Sequence, residues 1–223
     1  MKVLIIGNEY CAMELKRQFP ESMQHEIRQS SAYERGFDVV FLLHDALNLI
    51  IDDPHTHTVL ITSTASTTLQ SKAGQYNVSF ICGMNLFSGF IGAPIKEVCG
   101  DAASLIRFKM LAEYFKWEYK IVPDTPGMIA LRVLSMIINE AVATLAEGTA
   151  NVSDIDNGMM LGTNYPKGPL RWCEDIGVSN VVDTLSNLYQ FYADERYRVH
   201  PLLYEMATYD KRFYSSNTIK QAP

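Results

Sequence analysis

The 223-residue chain lacks several features that each mark a class of protein. It has no Lys/Arg cluster, and 19 basic against 25 acidic residues give a net charge of −6, so the positive patch of a nucleic-acid-binding protein is missing. No apolar run approaches the ~18–20 residues of a membrane span. The four cysteines form no C-x-x-C pair, which argues against a zinc motif and a disulfide framework. We therefore expect a cytoplasmic globular protein that binds neither nucleic acid nor a membrane.

The first half of the chain has the pattern of an α/β domain. Short β-branched runs alternate with stretches of helical periodicity, which predicts βαβ crossovers and a mostly parallel sheet. The predicted strands are residues 3–6, 25–28, 38–43, 58–62, 78–82, 95–99 and 119–122, with a helix over 101–116. The first run is too short for a signal peptide and is therefore assigned as a strand.

The second half predicts helices only. One helix is expected over residues 128–147, and another over 154–161, capped by Ser153 and ending at Gly162. A third is expected to be capped by Ser179, and a fourth to begin at Pro201. The predicted domains are thus an α/β domain over residues 1–122 and a helical domain over 123–214, followed by a polar tail over 215–223.

Three motifs of the second half occur in order. Residues 124–132 read D-T-P-G-M-I-A-L-R, residues 139–156 contain N-E-A, E-G and D-I-D, and residues 161–177 contain L-G, Y-P-K-G-P-L and D-I-G. Over roughly residues 122–206 the set resembles the C-terminal domain of the 3-hydroxyacyl-CoA dehydrogenase family. The resemblance implies a truncated Rossmann-like domain followed by the family's helical domain, which forms the dimer contact. It therefore implies a homodimer.

The first turn is a poor match to the dinucleotide-binding motif G-x-G-x-x-G. The aligned residues G-N-E-Y-C-A include Gly7, Asn8, Glu9 and Ala12, and only the first glycine is kept. Glu9 adds a carboxylate where two phosphates would lie. One like-charge pair at ~4 Å costs about 4 kcal/mol at an effective dielectric constant of ~20, nearly a thousandfold in affinity. Unless Glu9 turns outward, we expect no cofactor, and NAD or NADP only if the site still works.

Other cofactor and coenzyme features of the family are also altered. The acid expected at the end of the second strand is missing, and Arg28 there suits the 2′-phosphate of NADP better than a free ribose. Asp45 aligns with the family's cofactor-side glutamate, but the lysine that follows in the family is absent. The helical excursion that contributes to coenzyme A binding is absent too.

The resemblance assigns four positions of the reaction centre. Thr67 aligns with the serine that hydrogen-bonds the substrate's 3-oxygen, Asn85 with the catalytic histidine, and Glu97 with the glutamate that orients this histidine. Leu131 replaces an asparagine. A histidine is suited to take the hydroxyl proton because its pKa is near neutrality, whereas an asparagine cannot titrate. Loss of a general base typically costs ~10²–10⁴ in rate.

Three interpretations remain open. The first is a degenerate homologue that keeps the fold and dimer and binds an acyl-CoA-like or other small ligand, or pairs with an active homologue. The second is an active NAD(P)-dependent dehydrogenase of hydroxyacyl or related hydroxy-acid substrates, with Glu97 as base and Thr67 as oxyanion donor. The third is a scaffold with a filled cleft. His55 and His57, beside two aspartates, have no further ligands in the pattern, so no metal site is predicted.

Overall fold

The computed structural model describes residues 1–21, 23–28, 36–43, 51–53, 57–72 and 74–214. The chain divides into two compact units, of which the first ends at Ile129 and the second begins at Ala130, a little after the predicted limit at residue 122. A mostly parallel sheet and a set of helices confirm the predicted fold class. The described strands are β1 Lys2–Ile6, β2 Gln24–Arg28, β3 Val39–Leu42, β4 Ile51–Asp53, β5 Val59–Ser63, β6 Tyr76–Val78, β7 Phe80–Met84, β8 Ile95–Gly100 and β9 Glu118–Ile121. The described α-helices are α1 Glu9–Lys16, α2 Ala102–Phe115, α3 Ala130–Ala146, α4 Val152–Thr163, α5 Pro169–Ile176, α6 Val178–Tyr192 and α7 Pro201–Thr208.

The main sheet of the first unit has the strand order β2-β1-β3-β5-β7-β8-β9 within the described residues. Every neighbouring pair is parallel except β7 and β8. One face carries the larger apolar core, to which α1 and α2 contribute Leu15 and Phe108. The other face packs against the small β4–β6 sheet, which contributes Ile51 and Tyr76. Because both faces are covered, the central strand β3 is buried along its whole length.

Apolar residues spaced by three or four cover a wide arc of α3, and only part of this arc is buried, because Val133 is 55% exposed. Along α3, Leu131, Leu134, Ile138 and Val142 are buried, as expected of residues spaced by three or four. Pro169 and Pro201 each occupy the first turn of their helix, α5 and α7, where a proline loses no intrahelical hydrogen bond. The helical half was therefore predictable from periodicity, apart from α5, which the pattern did not indicate.

Two helix starts were predicted wrongly. The cap of α4 is Asn151 and not Ser153, because the Asn151 side chain accepts a hydrogen bond from the Asp154 amide at 3.0 Å. Likewise, α6 begins directly after Gly177, so Ser179 lies inside its first turn. Serine and asparagine are both good caps, and sequence alone did not rank these neighbouring candidates.

Two other boundaries differ from the prediction. Helix α4 does not stop at Gly162 but ends at Thr163, and its C-cap Asn164 adopts a left-handed conformation with φ of 56°. The predicted strand over residues 78–82 is two strands, β6 and β7, separated at Ser79. They belong to different sheets, because β6 pairs with β4 whereas β7 pairs with β5 and β8.

Some predictions lie outside the described residues. These are the cofactor-side position Asp45, the tail over residues 215–223, and His55 of the histidine pair. In the part of the chain that is described, no helix is long and apolar enough to cross a membrane. In the same residues, no group of three His, Cys, Asp or Glu side chains is arranged to hold a metal ion.

Candidate functional site

The backbone of the turn between β1 and α1 is held by hydrogen bonds to β2 and to the Asn8 side chain. Gly7 has a φ of 149°, and its amide donates to the Arg28 carbonyl at 3.1 Å. Asn8 then caps α1, because its Oδ1 accepts from the Cys11 amide at 2.8 Å. Glu9 is the first residue of the helix and is exposed, while Ala12 is buried against the sheet. A ligand phosphate at this helix end would compete with the Asn8 side chain and meet the charge of Glu9.

Arg28 is already engaged at the end of β2. Its Nε donates to Glu26 Oε1 at 2.6 Å, and its guanidinium lies 5.8 Å from the centre of the Phe37 ring. The proposed role of Arg28 toward a 2′-phosphate therefore requires this ion pair to open.

A loop over residues 64–72, here called the β5 loop, follows the carboxyl end of β5 and contains Thr67. The Thr67 hydroxyl is 2.8 Å from the Ser71 hydroxyl, which in turn donates to the Thr68 carbonyl at 2.7 Å. At the end of the loop, the Lys72 ammonium is buried and donates to the Ser63 carbonyl. Burial lowers the pKa of Lys72 to about 8. Lys72 thus holds the end of the β5 loop, which contains Thr67, against the end of β5.

The β5 loop is fastened to the segment after β9. Both carboxylate oxygens of Asp124 accept backbone N–H groups of the loop, from Leu69 at 2.7 Å and Gln70 at 2.9 Å. The Gly127 amide donates to the Ala65 carbonyl at 2.7 Å. The aspartate and the glycine of the D-x-P-G motif therefore have a structural role, because both hold the β5 loop in place.

Asn85 and Glu97 lie next to the last pair of residues in the antiparallel pair β7–β8. In this pair Met84 lies opposite Val98, so the next residues of the same register are Asn85 and Glu97. The Asn85 Oδ1 accepts from the Phe87 amide at 3.3 Å. The half-buried Glu97 accepts from the Ile129 amide at 3.0 Å through Oε2. The predicted neighbours therefore sit at one end of the sheet, and neither side chain is a histidine.

The loop that follows Asn85 is held by two opposite charges. Glu14 of α1 accepts the amides of Gly89 and Gly92, each at 3.2 Å. The buried Lys96 ammonium donates to two carbonyls of the same loop, those of Ile91 and Ala93. Burial lowers the pKa of Lys96, and the charge of Glu14 opposes this effect. Sequence gave no signal for this arrangement, because each residue is an isolated charge in an unremarkable pattern.

A cavity of about 450 Å³ lies on the sheet face that carries Ile81 and Cys99, near the anchoring Asp124. The Cys99 thiol is 3.6 Å from Asp124 Oδ1 and 3.9 Å from Thr64 Oγ1. Burial and the neighbouring carboxylate raise the pKa of Cys99 to about 12. The thiol is therefore protonated at neutral pH and is not a nucleophile.

The fourth predicted position, Leu131, belongs to the second unit. It is fully buried in α3 and supplies no polar atom where the family pattern has an asparagine. Arg132, the next residue, stacks on the rings of Tyr192 and Tyr197 and donates to both hydroxyl groups. The arginine of the motif is thus a structural anchor of this unit.

The D-I-D and G-P motifs meet at the start of α5. Gly168 precedes this helix and offers no side-chain cap, and the buried Asp156 of α4 accepts the amides of Leu170 and Arg171 at 2.8 and 3.0 Å instead. Tyr214 donates its hydroxyl to the same carboxylate at 2.5 Å. A Cβ at position 168 would lie 2.1 Å from Asp156 Cγ, which is why a glycine stands there.

Comparison with known proteins gives matches to several dehydrogenases. A family model described as the C-terminal domain of 3-hydroxyacyl-CoA dehydrogenase matches residues 127–216. The chain is 32% identical to a 3-hydroxybutyryl-CoA dehydrogenase of Clostridioides difficile over 73% of this chain and 59% of that relative. It is 43% identical to a 3-hydroxyadipyl-CoA dehydrogenase of Escherichia coli (strain K12) over 42% of this chain and 20% of the relative. The matches span less than two thirds of these curated relatives.

Two solved structures share the fold over nearly the whole chain. FadB2 of M. tuberculosis superposes with a TM-score of 0.74 at 16% identity, covering 96% of this chain and 98% of that one. An (S)-3-hydroxybutyryl-CoA dehydrogenase from Ralstonia eutropha superposes with a TM-score of 0.70 at 19% identity, covering 98% and 99%.

Proposed function

Because the chain belongs to the 3-hydroxyacyl-CoA dehydrogenase family, we propose that it keeps a site for an acyl-CoA-like ligand while its NAD-dependent oxidoreductase activity is weakened or lost. The observation that carries the proposal is Asn85. Its amide stands where the family has a histidine, and an amide takes up no proton near neutral pH. The carboxylate beside it, Glu97, accepts the Ile129 amide.

The residues of the first turn fit a dinucleotide poorly. The amide of Cys11 is already bonded by Asn8, and the Glu9 carboxylate lies at the positive end of α1, where a pyrophosphate is expected to bind. Arg28 pairs with Glu26. We therefore derive no hydride-transfer step for this chain, and propose that NAD and NADP bind weakly or not at all.

The groups that remain for ligand binding are polar side chains on backbone that hydrogen bonds hold in place. The Thr67 hydroxyl is presented by a loop tied down by Lys72 and Asp124, and Asn85 leaves the adjacent strand. Such a preorganised pair of hydrogen-bonding groups can hold the oxygenated acyl part of a thioester without transforming it.

A working dehydrogenase is the second candidate, because Glu97 and Thr67 are both kept. In that case Glu97 takes the proton and Thr67 donates to the substrate oxygen. This candidate predicts NADH-dependent reduction of acetoacetyl-CoA that disappears in Glu97→Gln. Such turnover in the wild-type chain would overturn the proposed loss of activity.

The decisive experiment combines calorimetry with an NADH assay on the full chain. We expect butyryl-CoA to bind to the wild-type protein, with no NADH oxidation above background in the presence of acetoacetyl-CoA. The double variant Glu9→Gly, Asn85→His restores a glycine turn and a titratable base, and we expect it to oxidise NADH measurably. Absence of butyryl-CoA binding to the folded protein would contradict the proposal.

We also propose that the protein forms a homodimer through its helical unit and works in the cytoplasm. Apolar side chains exposed on this unit support the first statement, with Leu161 87% exposed and Phe191 52% exposed. The four cysteines all lie in the described residues and form no disulfide there, which supports the second statement.

A further inference from the structure

Strand β9 forms one edge of the main sheet in the described part of the chain. It pairs with β8 on one side, and no described strand lies on its other side. The Val122 amide, which follows β9, donates to the Val98 carbonyl of β8 at 2.9 Å. Because successive residues of a strand direct their backbone groups to opposite sides, Tyr119 and Ile121 direct theirs away from β8. The N–H and C=O groups of these two residues are therefore available to a further strand.

The side chains of β9 alternate between the two faces of the sheet. The Tyr119 ring lies on the face that carries α2, with its centre 5.4 Å from that of the Phe108 ring. Ile121 follows on the same face and is 60% exposed. Glu118 and Lys120 belong to the opposite face, and both are exposed. Neither forms an ion pair with another described residue.

Charges on an edge strand usually oppose pairing between copies, because like charges meet. The charges of β9 are of opposite sign, so the result depends on the register. An antiparallel pair with twofold symmetry has one residue that lies opposite itself, which is the midpoint of the pair. A midpoint between two residues would set a backbone directed outward against one directed toward β8. The midpoint must therefore be a residue.

One midpoint suits both the charges and the backbone of β9. With Tyr119 as the midpoint, Glu118 of each copy lies opposite the partner's Lys120. A midpoint at Glu118 or at Lys120 sets two like charges directly opposite each other, which destabilises a strand pair. A midpoint at Ile121 sets Tyr119 opposite the partner's Pro123, which has no N–H group to donate. The register through Tyr119 is the one that these residues favour.

We propose that a second copy of this chain pairs antiparallel with β9, with the two Tyr119 residues opposite each other. The two Tyr119 residues exchange backbone hydrogen bonds, and two ion pairs join Glu118 to the partner's Lys120. Ile121 lies opposite the partner's Trp117 and donates its amide to the carbonyl of that residue. The Trp117 amide does not donate in return, because it already bonds the Ala112 carbonyl at 2.8 Å.

This pairing is separate from the homodimer proposed for the helical unit, because β9 belongs to the first unit. It is also independent of ligand binding. A few backbone hydrogen bonds and two exposed ion pairs make a small interface, and exposed ion pairs add little free energy. We therefore expect the pairing to form at high protein concentration, so that the average mass rises above its value in dilute solution.

Charge reversal tests the ion pairs, with static light scattering of the full chain from micromolar to millimolar concentration. In Lys120→Glu two carboxylates lie opposite each other twice, and we expect the dissociation constant of the pairing to rise about tenfold. The double variant Glu118→Lys, Lys120→Glu exchanges the two charges and should restore wild-type association. Lys109→Glu makes the same change of charge on an exposed residue of α2 and is the matched control.

Cysteine cross-linking tests the register. Glu118 and the partner's Lys120 form a non-hydrogen-bonded pair, whose Cα atoms are ~4.5 Å apart and within reach of a disulfide. We expect an oxidised mixture of Glu118→Cys and Lys120→Cys chains to form a mixed covalent dimer, detected by non-reducing electrophoresis and mass spectrometry. Either variant alone should cross-link much less, because its two cysteines are out of register. The half-buried Cys11 is changed to serine in every chain, and the other three native cysteines are buried.

Each outcome decides for or against the pairing. If the wild-type mass does not rise with concentration, or if the mixture forms no mixed dimer, the pairing is wrong. If either single variant cross-links as well as the mixture does, the strands do not meet through Tyr119. A double variant that fails to restore association would contradict the two ion pairs. Binding of butyryl-CoA affects none of these results, so the pairing and the proposed function are tested separately.

Discussion

At the residue scale, Lys72 is a buried ammonium whose hydrogen bond goes to a carbonyl oxygen. It is 5% exposed, and burial lowers its pKa from 10.5 to about 8. Because the native chain releases this proton at lower pH than the unfolded chain, the unfolded state binds more protons between about pH 8 and 10.5, and stability rises with pH in that window. The whole difference is on the order of 3 kcal/mol.

The rise of stability with pH can be measured. We expect urea denaturation to show that the wild-type free energy of unfolding increases from pH 7 to pH 10 relative to that of Lys72→Met. The matched control is Lys109→Met, which removes an exposed lysine of α2 and should follow the wild-type profile. If the difference in free energy of unfolding between wild type and Lys72→Met does not change over this pH range, the lowered pKa of Lys72 is wrong.

The residues of the site differ in how far sequence could identify them. Motif alignment named Thr67, Asn85 and Glu97, and the described structure places them at one edge of the sheet. The hydrogen bonds that position them, from Asp124 and Ser71, were not anticipated. They depend on where loops distant in sequence meet, and no local pattern encodes that meeting. The motif did contain Asp124, but its position alone did not reveal which backbone it binds.

At the element scale, the N-terminus of α1 decides whether a dinucleotide can bind. We predict that Glu9→Gln, which removes the charge and keeps the bulk, strengthens NADH binding about tenfold or more, since a like-charge contact is lost. Glu9→Gly removes both and should bind more tightly still. NADH fluorescence titration measures both constants. Equal, undetectable binding in all three proteins would show that the Asn8 cap, and not Glu9, closes the site.

The start of α5 gives a second prediction at this scale. Asp156 accepts two amides of the first turn and the Tyr214 hydroxyl, so Asp156→Ala leaves buried donors unsatisfied. We expect a loss of about 3 kcal/mol in the free energy of unfolding, measured by urea denaturation. Asp154→Ala, two residues earlier and exposed, is the control and should cost less than ~1 kcal/mol. If both variants lose the same free energy of unfolding, the proposed capping of α5 by Asp156 is wrong.

Helices and strands were easier to predict than the positions at which they begin and end. Apolar spacing located α2 because tertiary burial and periodicity agree there, and it located α3 although Val133, one of the spaced apolar residues, is exposed. The starts of α4 and α6 were misplaced because several capping residues stand close together, and the choice among them depends on how the preceding loop packs. The strand split at Ser79 followed from pairing with two different sheets, which a single run of apolar residues cannot reveal.

At the scale of the whole molecule, the helical unit exposes several large apolar side chains. Leu161 and Met160 are exposed at the end of α4, and Phe191 at the end of α6. Exposed apolar groups mark association surfaces where they form a contiguous patch. They sit in the half of the chain where the family model matches, which supports self-association through this unit.

Self-association through the helical unit can be separated from association through the sheet unit, which also exposes apolar residues. Helix α2 presents Ile106, Met110 and Tyr114 to solvent at spacings of four. If the dimer forms through the helical unit, sedimentation velocity should give twice the 25.1 kDa chain mass for wild type and for Met110→Lys, and the single-chain mass for Leu161→Lys. A charge at position 161 opposes a dimer because an unpaired ammonium would be buried in the interface. If Met110→Lys alone dissociates the dimer, the contact is formed by α2. If the wild-type protein is a monomer, the proposed homodimer is wrong.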